Sequence, residues 1–403
     1  MAHFRTRYAL PLIENALKLS PLVGLVGHRQ VGKTTLLETI GSAYHVLDTR
    51  EAQLEASEHP AEYLRKRAGR RVVLDECQTV PALFPELKEW VRTHKTPGQF
   101  LLSGSVRFSS REAIRESLTG RIINIELLPL TLSETLELAR PRHLVRLIEA
   151  GRFHADQPHP NRSVTAKKTA TISRFLEFGG LPSVCFLRDD RQRGLRIQDQ
   201  LMTILDRDLR LVRRLNVSLT DIRALVAALA DLQGLPLDYT ELRSRTGIST
   251  PTIKKIVMAL EAVFVIRLLP IEGAGSRGTV AYFEDLAERA HLSARTLSQR
   301  EKFAHFCFHE LRSQLQYEPG MAWSVTQYRT RGGALIPFVF RAQGVAIGVI
   351  PLESPEEIEE SMGSVRSFLS RHAEALVLGL HPGTGLPRVL NSRTMTAPIS
   401  HLV

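Results

Sequence analysis

The stretch Gly27-His28-Arg29-Gln30-Val31-Gly32-Lys33-Thr34-Thr35 constrains this 403-residue chain more than any other. It has the spacing glycine, four residues, glycine, lysine, hydroxyl residue, and it separates two periodicities. Pro21–Gly27 before it is a short apolar run that reads as a buried strand. Leu36, Leu37 and Ile40 after it recur at helical spacing. Strand, glycine loop and helix is the context in which such a loop wraps a phosphate. Glycines let the backbone curl so that successive N–H groups point at one centre, and the start of the helix adds partial positive charge there. Lys33 can reach the outer phosphates of a triphosphate, and the Thr34 hydroxyl can ligate Mg²⁺. The expected phosphate-binding set is therefore Gly27, His28, Arg29, Gln30, Val31, Gly32, Lys33, Thr34 and Thr35.

Whether such a site also cleaves its ligand is addressed by Arg70–Gln78. Val72, Val73 and Leu74 read as a second buried strand, which puts Asp75 at its C-terminal end, where ligand sites form in α/β sheets. An acid there can hold the shell of a magnesium ion. A second carboxylate beside it, Glu76, can orient and deprotonate an attacking water, which a pure binder does not need. A third strand, Phe100–Leu102, runs into Ser103, Gly104 and Ser105. Small hydroxyls at a strand tip can sense the terminal phosphate, although a bare turn gives the same pattern. Arg121 follows Gly120 in a loop before another apolar run. An arginine so placed suits transition-state charge, in its own subunit or in a neighbour.

Composition narrows the setting. No run of about 18 apolar residues occurs, so no membrane span is expected. The N-terminal stretch lacks a signal-peptide pattern. Cys77, Cys185 and Cys307 are widely spaced and form no metal or disulfide framework, which fits a reducing cytoplasm. The net charge of +11 makes a polyanion, nucleic acid first, a candidate partner. Solvated arginines scattered over the surface would give the same surplus.

The segments GHRQVGKTTLLE, VVLDECQTVPALFPELKEWV, FLLSGS and SLTGRIINIELLPLTLSE, in that order and spacing, resemble the archaeal-type AAA+-like ATPases. The resemblance covers most of residues 1–140. It implies a P-loop sheet with an added strand between the loop strand and the Asp-Glu strand, and it implies ATP and Mg²⁺. It assigns Lys33 to phosphate, Thr34 and Asp75 to metal, and Glu76 to the water. Gln78 falls on a family glutamine. His28 stands where a proline is common, with little expected effect because the position contributes backbone.

Beyond residue 140 the pattern turns helical. His154–Thr169 is polar and proline-bearing and reads as a loop. Gly179, Gly180 and Pro182 resemble the family's Gly-Gly-x-Pro turn. Arg188–Leu215 mixes arginines with aspartates, and Ile197, Leu201, Ile204 and Leu205 share one helical face, so a solvated helix is expected. Residues 221–270 show helix-turn-helix spacing: Ile222–Leu232, a second helix near Tyr239–Arg245, a turn at Gly247, and a third helix capped by Thr250. A strand follows, as in a winged variant. Thr252, Lys254 and Lys255 would face outward and could enter a major groove of double-stranded DNA. Winged modules also act as spacers or protein contacts.

Residues 271–403 resemble the family's C-terminal domain, which looks like a restriction-endonuclease-type fold. Glu310-Leu311 is present on the first helix. Leu335 and Pro337 stand where a strand should carry Glu and Asp, and Gly348 and Ile350 replace Glu and Lys. The metal site, and with it nuclease activity, is expected to be absent. The tail from Pro382 reads as irregular. The chain is thus expected to be α/β: a P-loop NTPase (AAA+-like) parallel-sheet domain over 1–140, a helical lid over 141–215, a winged helix over 216–270 and a nuclease-like domain over 271–403. The expected activity is ATP hydrolysis coupled to rearrangement of the later modules, on DNA or with a protein partner or by self-association. The alternatives are a nucleotide-gated DNA-binding regulator and a scaffold with structural ATP.

Overall fold

In the computed structural model, which describes residues 4–40, 43–110, 112–153, 162–212, 215–273, 275 and 278–403, five apolar runs become one parallel sheet. They are β1 (Leu22–Gly27), β2 (Ala43–Val46), β3 (Val72–Asp75), β4 (Phe100–Gly104) and β5 (Ile122–Leu127), in the order β2-β3-β4-β1-β5. β1, β3 and β4 are buried along their whole lengths, as continuous apolar runs require when helices cover both faces. β4 pairs with β1 on one side and β3 on the other, which is the added strand expected between the loop strand and the Asp-Glu strand. Because every pairing is parallel, Gly27, Asp75, Gly104 and Leu127 collect at one edge of the sheet. Leu22, Leu74, Phe84, Leu87, Phe100 and Phe108 pack a core against it.

The second sheet is mixed and has eight strands: β6 (Ile266–Glu272), β7 (Thr279–Phe283), β8 (Trp323–Arg329), β9 (Leu335–Ala342), β10 (Val345–Pro351), β11 (Leu376–His381), β12 (Arg388–Asn391) and β13 (Thr394–Pro398), ordered β12-β13-β11-β10-β9-β8-β6-β7. β8, β9 and β10 are an antiparallel meander, and β11 runs parallel to β10. The helix Gln299–Gln316 is buried nearly all round, and Phe306, Cys307 and Leu311 join Phe338, Ile347 and Val349 in the larger core. Its buried polar side chains serve as anchors for backbone: Gln314 accepts from the Leu144 amide at 2.8 Å and donates to the Leu402 carbonyl at 2.7 Å.

The chain divides into two units, each made of three stretches. One holds Met1–Pro129, Leu181–Arg223 and Thr246–Ile266, and the other Leu130–Gly180, Ala224–Arg245 and Arg267–Val403. The segments expected as lid and winged helix contribute to both units, and β6 and β7 belong to the eight-stranded sheet.

Several local expectations need correction. Residues 154–161 of the expected loop lie outside the described residues, and from Arg162 the chain is a helix to Phe178, because Ile172 and Phe175 have a core to enter. The strand expected to carry Leu335 and Pro337 is the second arm of a hairpin, β8 to β9, turned at 330–334. The helix Thr250–Ala262 has Ser249 at its N-cap, one residue before Thr250. The tail is not irregular: β13 is buried on both faces, with Met395 and Ala397 in the core. Among the described residues, no helix is long and apolar enough to cross a membrane.

Candidate phosphate-binding and catalytic site

The loop after β1 is shaped by close approaches. A Cβ on Gly27 would sit 2.4 Å from the Leu127 carbonyl, so only glycine lets β1 run this close to β5 before turning. Gln30 and Gly32 take left-handed conformations, with φ of 59° and 98°, and Gly32 precedes the helix Lys33–Glu38. Lys33 is buried; its Nζ donates to the carbonyls of Gly27 and His28, each at 2.9 Å. Burial lowers the Lys33 pKa, while Glu76, Asp75 and Asp208 oppose that shift. His28 is also buried, with Nδ1 2.8 Å from the Arg29 carbonyl. The Arg7 guanidinium braces the loop from outside, donating to Val31 O at 2.8 Å and Leu128 O at 2.5 Å. Thr35 is exposed.

Asp75 is the hub. Its Oδ2 accepts from the Thr34 hydroxyl at 2.8 Å and from the Tyr44 hydroxyl, and its Oδ1 accepts from Ser103 and, at 3.0 Å, from the Glu76 amide. Burial and then the bond to Asp75 push the Tyr44 phenol far up, so it stays a donor. Glu76 is a non-glycine residue in the left-handed region, φ 56°, and this turns its carboxylate off the strand line. There it accepts from the Gln78 amide at 2.5 Å, and the same amide lies 3.3 Å from Ser105 Oγ. The donor set fits a magnesium ion: one carboxylate and hydroxyls, hard oxygens that leave most of an octahedral shell to phosphate and water. Among the described residues, no group of three or more His, Cys, Asp or Glu converges to hold a metal by itself.

The structure thus brings together Lys33, Thr34, Asp75, Glu76, Ser103 and Ser105. It does not bring Arg121 to them. Ile122, its neighbour, pairs with Leu22 at the start of β1, whereas the loop leaves from Gly27 at the other end. That is a separation of about 16 Å at the usual strand rise. Arg121 therefore cannot serve this site within its own chain. Its Nη1 donates to the Thr119 carbonyl at 3.1 Å. Lys254 and Lys255 are exposed on the helix Thr250–Ala262, and the Thr252 hydroxyl lies 2.8 Å from Ser249.

Four residues that sequence reasoning missed belong to the site: Arg7, Tyr44, Gln200 and Asp208. Tyr44 lies on the short strand β2, whose apolar signal is only Ala43, Tyr44 and Val46. Gln200 donates to the Arg29 carbonyl at 3.3 Å, and Asp208 pairs with the Arg29 guanidinium at 3.3 Å. Both come from the arginine-rich stretch expected to be a solvated helix.

In the other unit, the Glu310 carboxyl is sealed in the core. Oε1 accepts from the Leu132 amide at 2.8 Å, and Oε2 has no partner among the described residues. Burial pushes its pKa up to about 8. A Cβ on Gly348 would meet Ile336 and Phe368, each at 3.1 Å, so apolar side chains close around this position. Ile350 belongs to the same cluster.

Residues 19–136, which contain this sheet and its phosphate-type loop, match the family model described as an AAA domain. A domain of this family implies nucleotide binding. Residues 169–299 match a domain of unknown function, DUF8612. Two uncharacterized proteins, Mb2031c of Mycobacterium bovis and Rv2008c of Mycobacterium tuberculosis, are each 31% identical to this chain over 266 residues, covering 65% of it. The chain spans about half, 53%, of each of those relatives. Among solved structures, the Walker-type ATPase PABY2304 of Pyrococcus abyssi aligns at TM-score 0.41 and 16% identity over 70% of this chain and 94% of that one. RuvB of Thermotoga maritima aligns at 0.33 and 18% over 69% and 93%.

Proposed function

We propose that this chain binds ATP with Mg²⁺ and hydrolyses it, and that turnover rearranges its later modules. One observation carries the reading: the Thr34 hydroxyl and the Asp75 carboxylate meet at 2.8 Å, with Glu76 next in the chain and turned away from them to Gln78. Lys33 is already desolvated, so its charge acts on an incoming phosphate without first shedding water. Thr34 and Asp75 would hold magnesium, which when bound neutralises charge on the phosphates. Glu76, released from Gln78, is the base that takes a proton from the attacking water. Gln78 and Ser105 hold Glu76 aside until then.

The test is phosphate release by purified protein with Mg-ATP. Release that vanishes in Glu76→Gln while ATP binding persists supports hydrolysis. Binding without release under any DNA or partner condition supports a scaffold with structural ATP instead.

The C-terminal region is proposed to keep a nuclease-like arrangement without its chemistry. In support of this reading, the helix Gln299–Gln316 is followed by the strands β8, β9 and β10. Gly348 and Ile350 face the cluster of Ile336 and Phe368, while Glu310 lies under the other core. Metal-dependent cutting of plasmid by pure protein, lost in Glu310→Ala, would refute this.

A second reading, contact with duplex DNA, is favoured by the exposed face Pro251, Lys254, Lys255 and Met258. Affinity should fall steeply with salt and weaken in Lys254→Ala/Lys255→Ala. A flat salt response removes that reading.

A further inference from the structure

The helix Asp190–Thr203 does not simply end. It widens into a π-type turn at Ile204–Asp208 and resumes as Leu209–Val212. Such widened turns often occur at functional sites, because the extra residue re-aims the side chains that follow. Here Ile204, Leu205 and Leu209 stay in the core while Asp208 is also buried, its side chain 3% exposed. Asp206, two residues earlier, is 61% exposed and pairs with Arg210. Asp208 Oδ2 instead meets the Arg29 guanidinium of the phosphate loop. Two turns earlier, Gln200 donates to the Arg29 carbonyl and lies 3.4 Å from His28 Nδ1, while its Oε1 accepts from Ser183 at 3.3 Å.

Asp208 is out of place for a site that takes a polyanion. Its charge also acts on Lys33, alongside Asp75 and Glu76. A carboxylate facing the cradle repels phosphate unless a cation stands between them. Arg29 is that cation, and its side chain is a quarter exposed, open to a ligand.

We propose that Asp208 is a positioning residue for Arg29, holding the guanidinium at the mouth of the loop for the terminal phosphoryl group of a triphosphate, and that its charge selects against nucleotides that do not engage Arg29. The inference rests on the ATP-binding reading above. A nucleoside triphosphate takes Arg29 as counter-charge and screens itself from Asp208. A diphosphate that stops short of Arg29 meets the acid with less compensation.

The experiment measures Mg-ATP and Mg-ADP dissociation constants and the turnover number for full-length wild type, Asp208→Asn, Arg29→Gln and the double variant. In Asp208→Asn, ADP should tighten about fivefold and ATP less, the size of one like-charge contact near a surface. The preference for ATP over ADP should shrink, and turnover should fall about tenfold as Arg29 loses its orientation. Arg29→Gln should weaken ATP more than ADP. In the double variant the two effects should not add, because the residues act through each other. Equal shifts for both nucleotides, or simple additivity, would overturn the proposal. If Asp208→Asn does not fold, Arg29→Gln still decides, since an unchanged ATP to ADP ratio there overturns it too. Wild type that binds neither nucleotide would sink the ATP reading itself, a different failure.

Discussion

Two buried carboxyl groups, one in each unit, show opposite uses of the same chemistry. Asp75 is 1% exposed yet receives donors from Thr34, Tyr44, Ser103 and the Glu76 amide. Glu310 is fully buried and, among the described residues, receives only the Leu132 amide. A carboxylate surrounded by hydroxyls at the end of a strand can exchange a hydroxyl for a metal. A carboxyl with one donor and one orphan oxygen is held neutral, as a buried brace. The difference lies in the neighbours each sheet supplies: strand ends with small hydroxyls in one case, apolar walls in the other.

The largest expected effect breaks the comparison on the Asp75 side. Glu76→Gln keeps the size of the side chain and its hydrogen bond with Gln78, and removes the base. Phosphate release should fall about 10²–10⁴-fold, the usual worth of a general base, with ATP affinity retained. A loss of affinity equal to the loss of rate would mean that Glu76 holds ligand and does not handle the proton.

The next effect tests the neutral brace. Burial pushes the Glu310 carboxyl up from the ordinary value of 4.5 to about 8. A group raised on folding contributes stability that is fully present below the unfolded pKa and lost as pH rises through the folded one. Unfolding free energy should therefore decline from about pH 4.5 to about pH 8 and level off above that, by roughly 4–5 kcal/mol in total. Glu310→Gln should flatten that decline, measured by chemical denaturation across the pH range. Below about pH 5 Glu310→Ala should be destabilised by about 1–3 kcal/mol, because the Leu132 amide loses its acceptor, and that deficit should disappear as pH rises through about 8 and the wild-type carboxyl ionises. A wild-type profile that is flat from pH 5 to 9 would show a carboxyl that is solvated or ion-paired.

A smaller effect sharpens what the hydroxyls do. Tyr44→Phe deletes one donor to Asp75 and leaves Thr34 and Ser103. The net worth of one such bond is about 1 kcal/mol, so the magnesium dependence of nucleotide binding should shift about fivefold. The expected direction is tighter, since Asp75 no longer has a competing partner. Weaker magnesium binding would show that Tyr44 orients the carboxylate for the metal.

What was legible in the sequence follows from how far each residue's role is set by its neighbours in the chain. Gly27 to Thr35 is a contiguous motif, and Asp75-Glu76 closes a run of buried apolar residues, so position along the chain fixed position in space. Of the order β2-β3-β4-β1-β5, the placement of β4 between β1 and β3 was readable, and only through the resemblance. Tyr44, Gln200 and Asp208 reach the site by tertiary placement. Asp206 and Asp208 sit two apart on opposite sides of an arginine-rich helix, one exposed and one buried, and nothing local in the sequence says that the buried one meets Arg29. The tail was missed because β13 is buried on both faces and so lacks the alternation that marks a half-exposed strand.

The smallest expected effect concerns Arg121, which looked like a partner for the site because a glycine precedes it and a strand follows. In a parallel sheet the residue before a strand and the residue after one lie at opposite edges, so Arg121 stands beside the start of β1 while the phosphate loop leaves its end. With no route to the phosphates in its own chain, Arg121→Ala should leave single-turnover hydrolysis in dilute protein unchanged within about twofold. Repeating the measurement at rising protein concentration separates the remaining case. A defect that appears only as subunits associate would mean that one chain's β5 edge meets another chain's loop. A defect already present in dilute, monomeric protein would contradict the strand register itself.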